Sequence, residues 1–405
     1  MNDKRTSIIY YSIFIMLAAL FFSRALLSVS MLLFVGAACW HKRQGEQFRR
    51  FLSAPVLWGM SLLFLLPLIS GLWSADKAQW LDSMRIKLPL FLLPYAFAAP
   101  FSLTRKQWQA LAGFFILLIL GGTGWSIFQY AANPTAVNEG YLSARSLVTP
   151  LENDHVRFSW LVSLAVFGCG WMSVQSNADH WKKYGFLASG LWMIAYLHLL
   201  AARTGLISFY AGLLILAVWL LLRRLHRGYM LLVLSALLVI PLIAYLTVPT
   251  LQNRVRYFRY EWDYIKTGGY LPGSNDGVRL ISMRAGWELM KKNPAAGVGF
   301  GDIRAESREW YAAAYPGMRE SDKIFPSGEW LMYGAGCGIP GFILFTAVML
   351  LPFLDARQRG PGWLIIVTGA VLSFVADIGL EVQFGVFVFA GIVLSGWKWG
   401  EPEKN

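Results

Sequence analysis

A chain of 405 residues with 56% apolar and only 15% charged side chains, at a mean hydropathy of +0.48, carries more hydrophobic surface than a soluble core can hide. The net charge of +13 would suit nucleic acid in a soluble protein. In so apolar a chain the placement of loop charges matters more than their sum, so membrane lipid is the expected surrounding and no nucleic-acid partner is expected.

Residues 1–5 form a short basic start, and the apolar run from Ile8 has no small-residue cleavage site before the next run begins, so the first helix is expected to stay in the protein. Apolar runs then follow over residues 7–22, 25–40, 52–72, 86–101, 108–131, 158–176, 184–200, 205–222, 229–247, 329–353, 363–377 and 382–397. The expected fold is an all-α polytopic membrane protein of about twelve transmembrane helices with one large periplasmic loop containing short helices. Residues 1–247 hold the first nine helices, 248–328 the loop, and 329–405 the last three helices and a tail. The runs at 86–101 and 363–377 are short for a full crossing and suit tilted or re-entrant segments. No internal repeat of the kind seen in duplicated transporters is evident.

With the N-terminus placed inside, every second connection is basic. The termini and the inside connections carry 17 of the 36 Lys and Arg but 6 of the 23 acids, whereas the short outside connections carry 7 Lys and Arg. The positive-inside rule then puts both termini in the cytoplasm and residues 248–328 outside. Cys39, Cys169 and Cys337 lie far apart in or beside apolar runs, with no metal-ligand spacing, and read as packing residues.

The long loop holds 12 Lys and Arg, among them Arg254, Arg256, Arg259, Arg279 and Arg284, which points to an anionic ligand. Residues 280–292 have the pattern of an amphipathic helix, stopped by Asn293 and Pro294. Gly297, Gly299 and Gly301 then form a flexible glycine turn, in itself a weak phosphate signal. Glu261 and Asp263 form an acid-x-acid pair in the loop and read as a solvated surface feature, not a metal motif. Arg203 stands at the boundary between two apolar runs with almost no loop to keep it in water, and Arg157 occupies a similar boundary. An arginine at such depth either snorkels to an interfacial partner or presents a guanidinium fork to phosphate.

The sequence Ala202, Arg203, Thr204, Gly205, Leu206, then Gly277 and Arg279 followed by Trp287, the Asn293 to Gly301 turn, and Gly338, Ile339, Pro340, Gly341 opening a helix resembles the O-antigen ligase superfamily. The motifs cover about residues 150–345, and the span pattern extends over the whole chain. The resemblance implies a bacterial inner-membrane glycosyltransferase with its active site facing the periplasm. Its donor would be an undecaprenyl-pyrophosphate-linked glycan, and its acceptor a hydroxyl on a glycan, lipid or protein. No metal or other cofactor is implied. Arg203 and Arg279 match the family's pyrophosphate-binding arginines, with Arg157 a further candidate.

The family usually carries a His-Asn pair shortly before the Gly-Ile-x-Gly helix, and here Ser327 stands at the histidine's position. Two side chains remain as candidate catalytic bases. Glu329 at the membrane edge is either a base or a helix-start carboxylate, and His155 is either a base or an interface residue. Transfer to lipid A core is the expected activity; a polymerase or a protein O-oligosaccharyltransferase would share every motif. A lipid-linked sugar transporter is the rival from another class, and would concentrate its polar residues at mid-membrane, not at the outer boundary.

Overall fold

The computed structural model describes residues 2–175, 179–223, 227–355 and 360–401, and these are helical with no strand among them. The first group is α1 (Asn2–Phe22), α2 (Arg24–Cys39), α3 (Gln44–Ser53), α4 (Pro55–Ser70), α5 (Lys77–Lys87), α6 (Pro89–Phe97), α7 (Arg105–Ala132) and α8 (Pro134–Gly140). The short turn α9 (Pro150–Asn153) leads to α10 (His155–Gln175), α11 (His180–Leu200), α12 (Arg203–Leu222) and α13 (Arg227–Thr247). The long connection folds as α14 (Pro249–Lys266), α15 (Asp276–Lys292) and α16 (Ile303–Ala314), before α17 (Glu329–Leu354), α18 (Pro361–Phe374) and α19 (Gln383–Trp399) close the chain.

Each apolar run falls on helix. Six helices are long and apolar enough to cross a bilayer on their own: most of α1, α7, α10, α12, nearly all of α13, and α17. A seventh crossing arises if α2 and α3, bent by 111°, count together. The remaining runs are shorter or interrupted. At 1.5 Å per residue the 16 residues of α4 and the 14 of α18 fall short of 30 Å of hydrocarbon, and Pro89 splits the run at 86–101 between α5 and α6. The inside connections expected at 177–183, 223–228 and 355–362 lie partly outside the described residues.

Contacts between helix ends sort into two groups. At one end Arg5 donates to the carbonyls of Ala37 (3.0 Å) and Ala38 (3.1 Å), Arg50 pairs with Glu401, and Lys398 donates to the carbonyls of Phe97 (3.3 Å) and Ala99 (3.0 Å). Trp108 stacks on Trp399 there. These are the ends that loop charge placed together. The other end gathers Lys87, Arg157, Arg203, Glu329 and the α18–α19 connection, beneath the helices of residues 248–328.

The glycine turn has a structural task. Helix α17 is broken at Cys337 and Gly338, where Gly338 has φ +70°, and a broken helix in an apolar surround leaves backbone groups that need partners. The turn supplies them. Val298 N–H donates to Ala335 O (2.8 Å), Gly299 N–H to Gly336 O (3.0 Å), and Pro294 O accepts from Ile339 N–H (2.8 Å). So close an approach needs a residue without a side chain at a positive φ: Gly297, at φ +69°, has the backbone N of Cys337 only 2.4 Å from where a Cβ would sit. The turn expected to be flexible is therefore packed into the bundle, and it does not present a phosphate cradle.

Gly297→Val should lower stability by about 2 kcal/mol or more, because it adds both a strained φ and a backbone clash. The check is the thermal melting midpoint of the purified protein, with Gly317→Val as the comparison, since Gly317 has open space around it.

Candidate functional site

Helices α11 and α12 meet through a two-residue turn in which Ala201 is left-handed, and Arg203 is the first residue of α12. Its Nη1 lies 2.6 Å from Asp276 Oδ2, and its guanidinium stands over the Phe258 ring at 4.7 Å. Asp276 opens α15, and Arg279 follows one turn later. Arg254 reaches in from α14, over the ring of Tyr141 at 6.0 Å, within electrostatic range of Arg203, Arg279 and Asp276. The Tyr141 hydroxyl is itself fully engaged, donating to Leu200 O (2.7 Å) and accepting from Leu147 N–H (3.0 Å). Burial is the main cause that lowers the pKa of Arg254, with Arg203 next. His155, the first residue of α10, has Arg279, Arg254 and Asp377 as electrostatic neighbours. The structure thus brings Arg203, Arg279 and His155 together and adds Arg254.

Arg254 was legible only as one of a basic group. Helical spacing separates it from the others: Arg254, Tyr257 and Glu261 share the inward side of α14, whereas Arg256 and Arg259 are exposed.

Glu261 corrects the reading of the acid-x-acid pair. Asp263 is exposed, but Glu261 is 1% exposed, and its Oε1 accepts from Asn275 N–H (2.7 Å) and Asp276 N–H (3.2 Å). A carboxylate from α14 thereby caps α15 and starts that helix at Asp276, four residues before the expected start. Burial, then the charge of Asp276, pushes the Glu261 carboxyl above its ordinary range.

Arg157 and Glu329 belong to a neighbouring cluster. Arg157 is 8% exposed, pairs with Asp154 and with Asp377 (2.7 Å), and stands over Phe384 at 5.5 Å. Its guanidinium is already divided between two carboxylates. Glu329 is fully buried, and one of its oxygens accepts from the N–H of Leu380. Lys87, also fully buried, donates to the Leu380 carbonyl (3.0 Å) and pairs with Glu381. The electrostatic neighbours of Glu329 are Glu381, Lys87 and Asp377. Asp377 therefore pairs with Arg157 and lies within electrostatic range of His155, and it, Lys87 and Glu381 were not singled out in the sequence. The one available signal was a lysine at the edge of the 86–101 run, which reads as ordinary snorkelling.

Ser327 is buried, and its hydroxyl meets Ser282 Oγ at 2.8 Å, on the helix that carries Arg279. A hydroxyl pair thus stands where the resemblance would place a histidine. Among the described residues no group of three or more His, Cys, Asp or Glu is placed to hold a metal ion.

Residues 188–346 match the model of a family described as O-Antigen ligase. That match supports membership of the O-antigen ligase superfamily. The ligase segment contains Arg203, Arg254, Arg279 and Glu329, whereas His155 and Arg157 precede it. No curated protein matches the chain.

Lys87→Met should destabilise the protein by about 3–5 kcal/mol, because it strands a buried carboxylate, and the double variant Lys87→Met/Glu381→Met should recover much of that loss. Melting midpoints of the two single variants and the double variant test the coupling; additive losses would mean the pair is not one unit.

Proposed function

We propose that this protein transfers a glycan from undecaprenyl pyrophosphate to an acceptor hydroxyl, on lipid A core or a similar molecule, at the periplasmic face of the bacterial inner membrane. The observation that carries the reading is the meeting of Arg203 and Arg279 at one end of the helical bundle, inside the segment that matches the ligase family. Loop charge supports the orientation, since the basic connections lie at the opposite end.

The chemistry follows from the charges. An acceptor oxygen bonds to the anomeric carbon of the first sugar while the bond from that carbon to the pyrophosphate oxygen breaks. The electron pair leaves with the pyrophosphate, and direct displacement inverts the anomeric centre. Fixed guanidinium groups stabilise the charge that builds on the leaving group without reorganising, the part a divalent ion plays in other transferases. The acceptor's proton passes to His155. Its position beside the arginines favours it over Glu329, which is committed to Leu380 and sits in the carboxylate cluster. Its approach is shaped by three consecutive left-handed residues, Leu151, Glu152 and Asn153, an arrangement that costs energy and recurs at functional sites. Arg157, held by Asp154 and Asp377, fixes the start of α10 and so positions His155.

In an assay with the purified protein and a lipid-linked glycan, Arg279→Ala should lower transfer about 100- to 1,000-fold. His155→Ala should lower it by at least about 100-fold, with Glu329→Gln much closer to wild type. Undiminished transfer by Arg279→Ala at normal protein levels would overturn the reading. Mass spectrometry of surface glycans from a deletion strain identifies the acceptor: core lacking full-length glycan marks a ligase, shortened chains a polymerase, and unglycosylated proteins an oligosaccharyltransferase.

A further inference from the structure

We propose that Arg254 is a third phosphate ligand, which with Arg203 and Arg279 completes a three-guanidinium cradle for a pyrophosphate diester. The proposal rests on the donor reading above and adds a residue to it. Among the described residues the buried cations are neutralised where they stand: Arg157 by Asp154 and Asp377, Lys87 by Glu381 and the Leu380 carbonyl, Lys398 by Glu401 and two carbonyls. Arg254, half-buried, departs from that pattern. Its Nε and Nη1 are buried and make no hydrogen bond among the described residues, and two of its charged neighbours are arginines. A guanidinium has five N–H donors and no way to become neutral, so leaving two of its nitrogens dry beside like charges is unfavourable unless an anion completes the set.

The local charge balance indicates which anion. Arg203, Arg254 and Arg279 face the carboxylate of Asp276, and the second carboxyl, Glu261, is held toward its neutral form by burial and by Asp276. About two positive charges remain, which matches the two ionised oxygens of a pyrophosphate diester. When the glycosyl bond breaks, the departing pyrophosphate monoester gains one further negative charge. A desolvated guanidinium acts most strongly on charge that appears at that moment. Asp276 then has a second role: it engages Arg203 until phosphate oxygens compete for the same fork.

The test uses the full-length protein in nanodiscs with undecaprenyl pyrophosphate as the probe, measuring affinity and melting midpoint for wild type, Arg254→Met, Arg254→Lys and Arg203→Ala. Arg254→Met should bind the probe about tenfold more weakly or worse. Its melting midpoint without ligand should be unchanged or higher, since an unpaired buried charge has been replaced by an apolar chain of similar length. Arg254→Lys, which keeps the charge and loses the fork, should bind with intermediate affinity and serves if the Met variant does not fold. Wild-type binding by Arg254→Met or Arg254→Lys with weakened binding by Arg203→Ala would overturn the role of Arg254 and leave the donor reading intact. Wild-type binding by the Arg254 and Arg203 variants alike would overturn both.

Discussion

The peptide of Leu380 is gripped from both sides, its carbonyl by Lys87 and its N–H by Glu329, and the candidate site depends on that grip. Three distant segments meet there: the end of α5, the start of α17 and the α18–α19 connection. In hydrocarbon or a protein interior, a free peptide group and a free charge are both costly, so satisfying one with the other stabilises both. The arrangement places Asp377, three residues before Leu380, against Arg157, and Arg157 ties down the first turn of α10 from which His155 projects.

A gradient of electrostatic satisfaction runs from this cluster to the arginine face. Lys87, Glu381, Arg157, Asp154 and Asp377 are paired, and they form a rigid support of fixed charge. Arg203 is paired but 41% exposed, and Arg254 is dry and unbonded at two nitrogens. Paired framework charges support a neighbouring face whose charges are less fully paired, because the framework does not have to move. The capping of α15 by Glu261 serves the same end, since it sets the first turn of the helix that presents Arg279.

The break in α17 shows a second use of the same rule. Gly338 interrupts the helix, and the segment around Gly297 repairs the exposed backbone with its own N–H and carbonyl groups. Part of the long connection is thereby bonded into the bundle, and Asp302 extends the joint by accepting from the N–H groups of Ala75 (2.7 Å) and Asp76 (2.8 Å). The long connection consequently forms one wall of the site and does not hang over it as a loose roof. A strict glycine requirement at two places far apart in the chain, Gly297 and Gly338, thus reflects one joint.

Hydropathy by itself determined that the chain is helical and that several of its helices suit a bilayer, because apolar length is a property of single segments. Motif order pointed to the family and singled out Arg203 and Arg279. The tertiary structure alone decided which charges are spoken for. Arg157 and Arg203 look alike at their helix boundaries, yet the first is closed between two carboxylates and the second stands at an open face. Glu261, in a run of charged and aromatic residues, has the sequence context of a solvated acid, yet it is buried as a helix cap. Pairing depends on groups brought together from far apart in the chain, 294 residues for Lys87 with Glu381, and no local pattern encodes that distance.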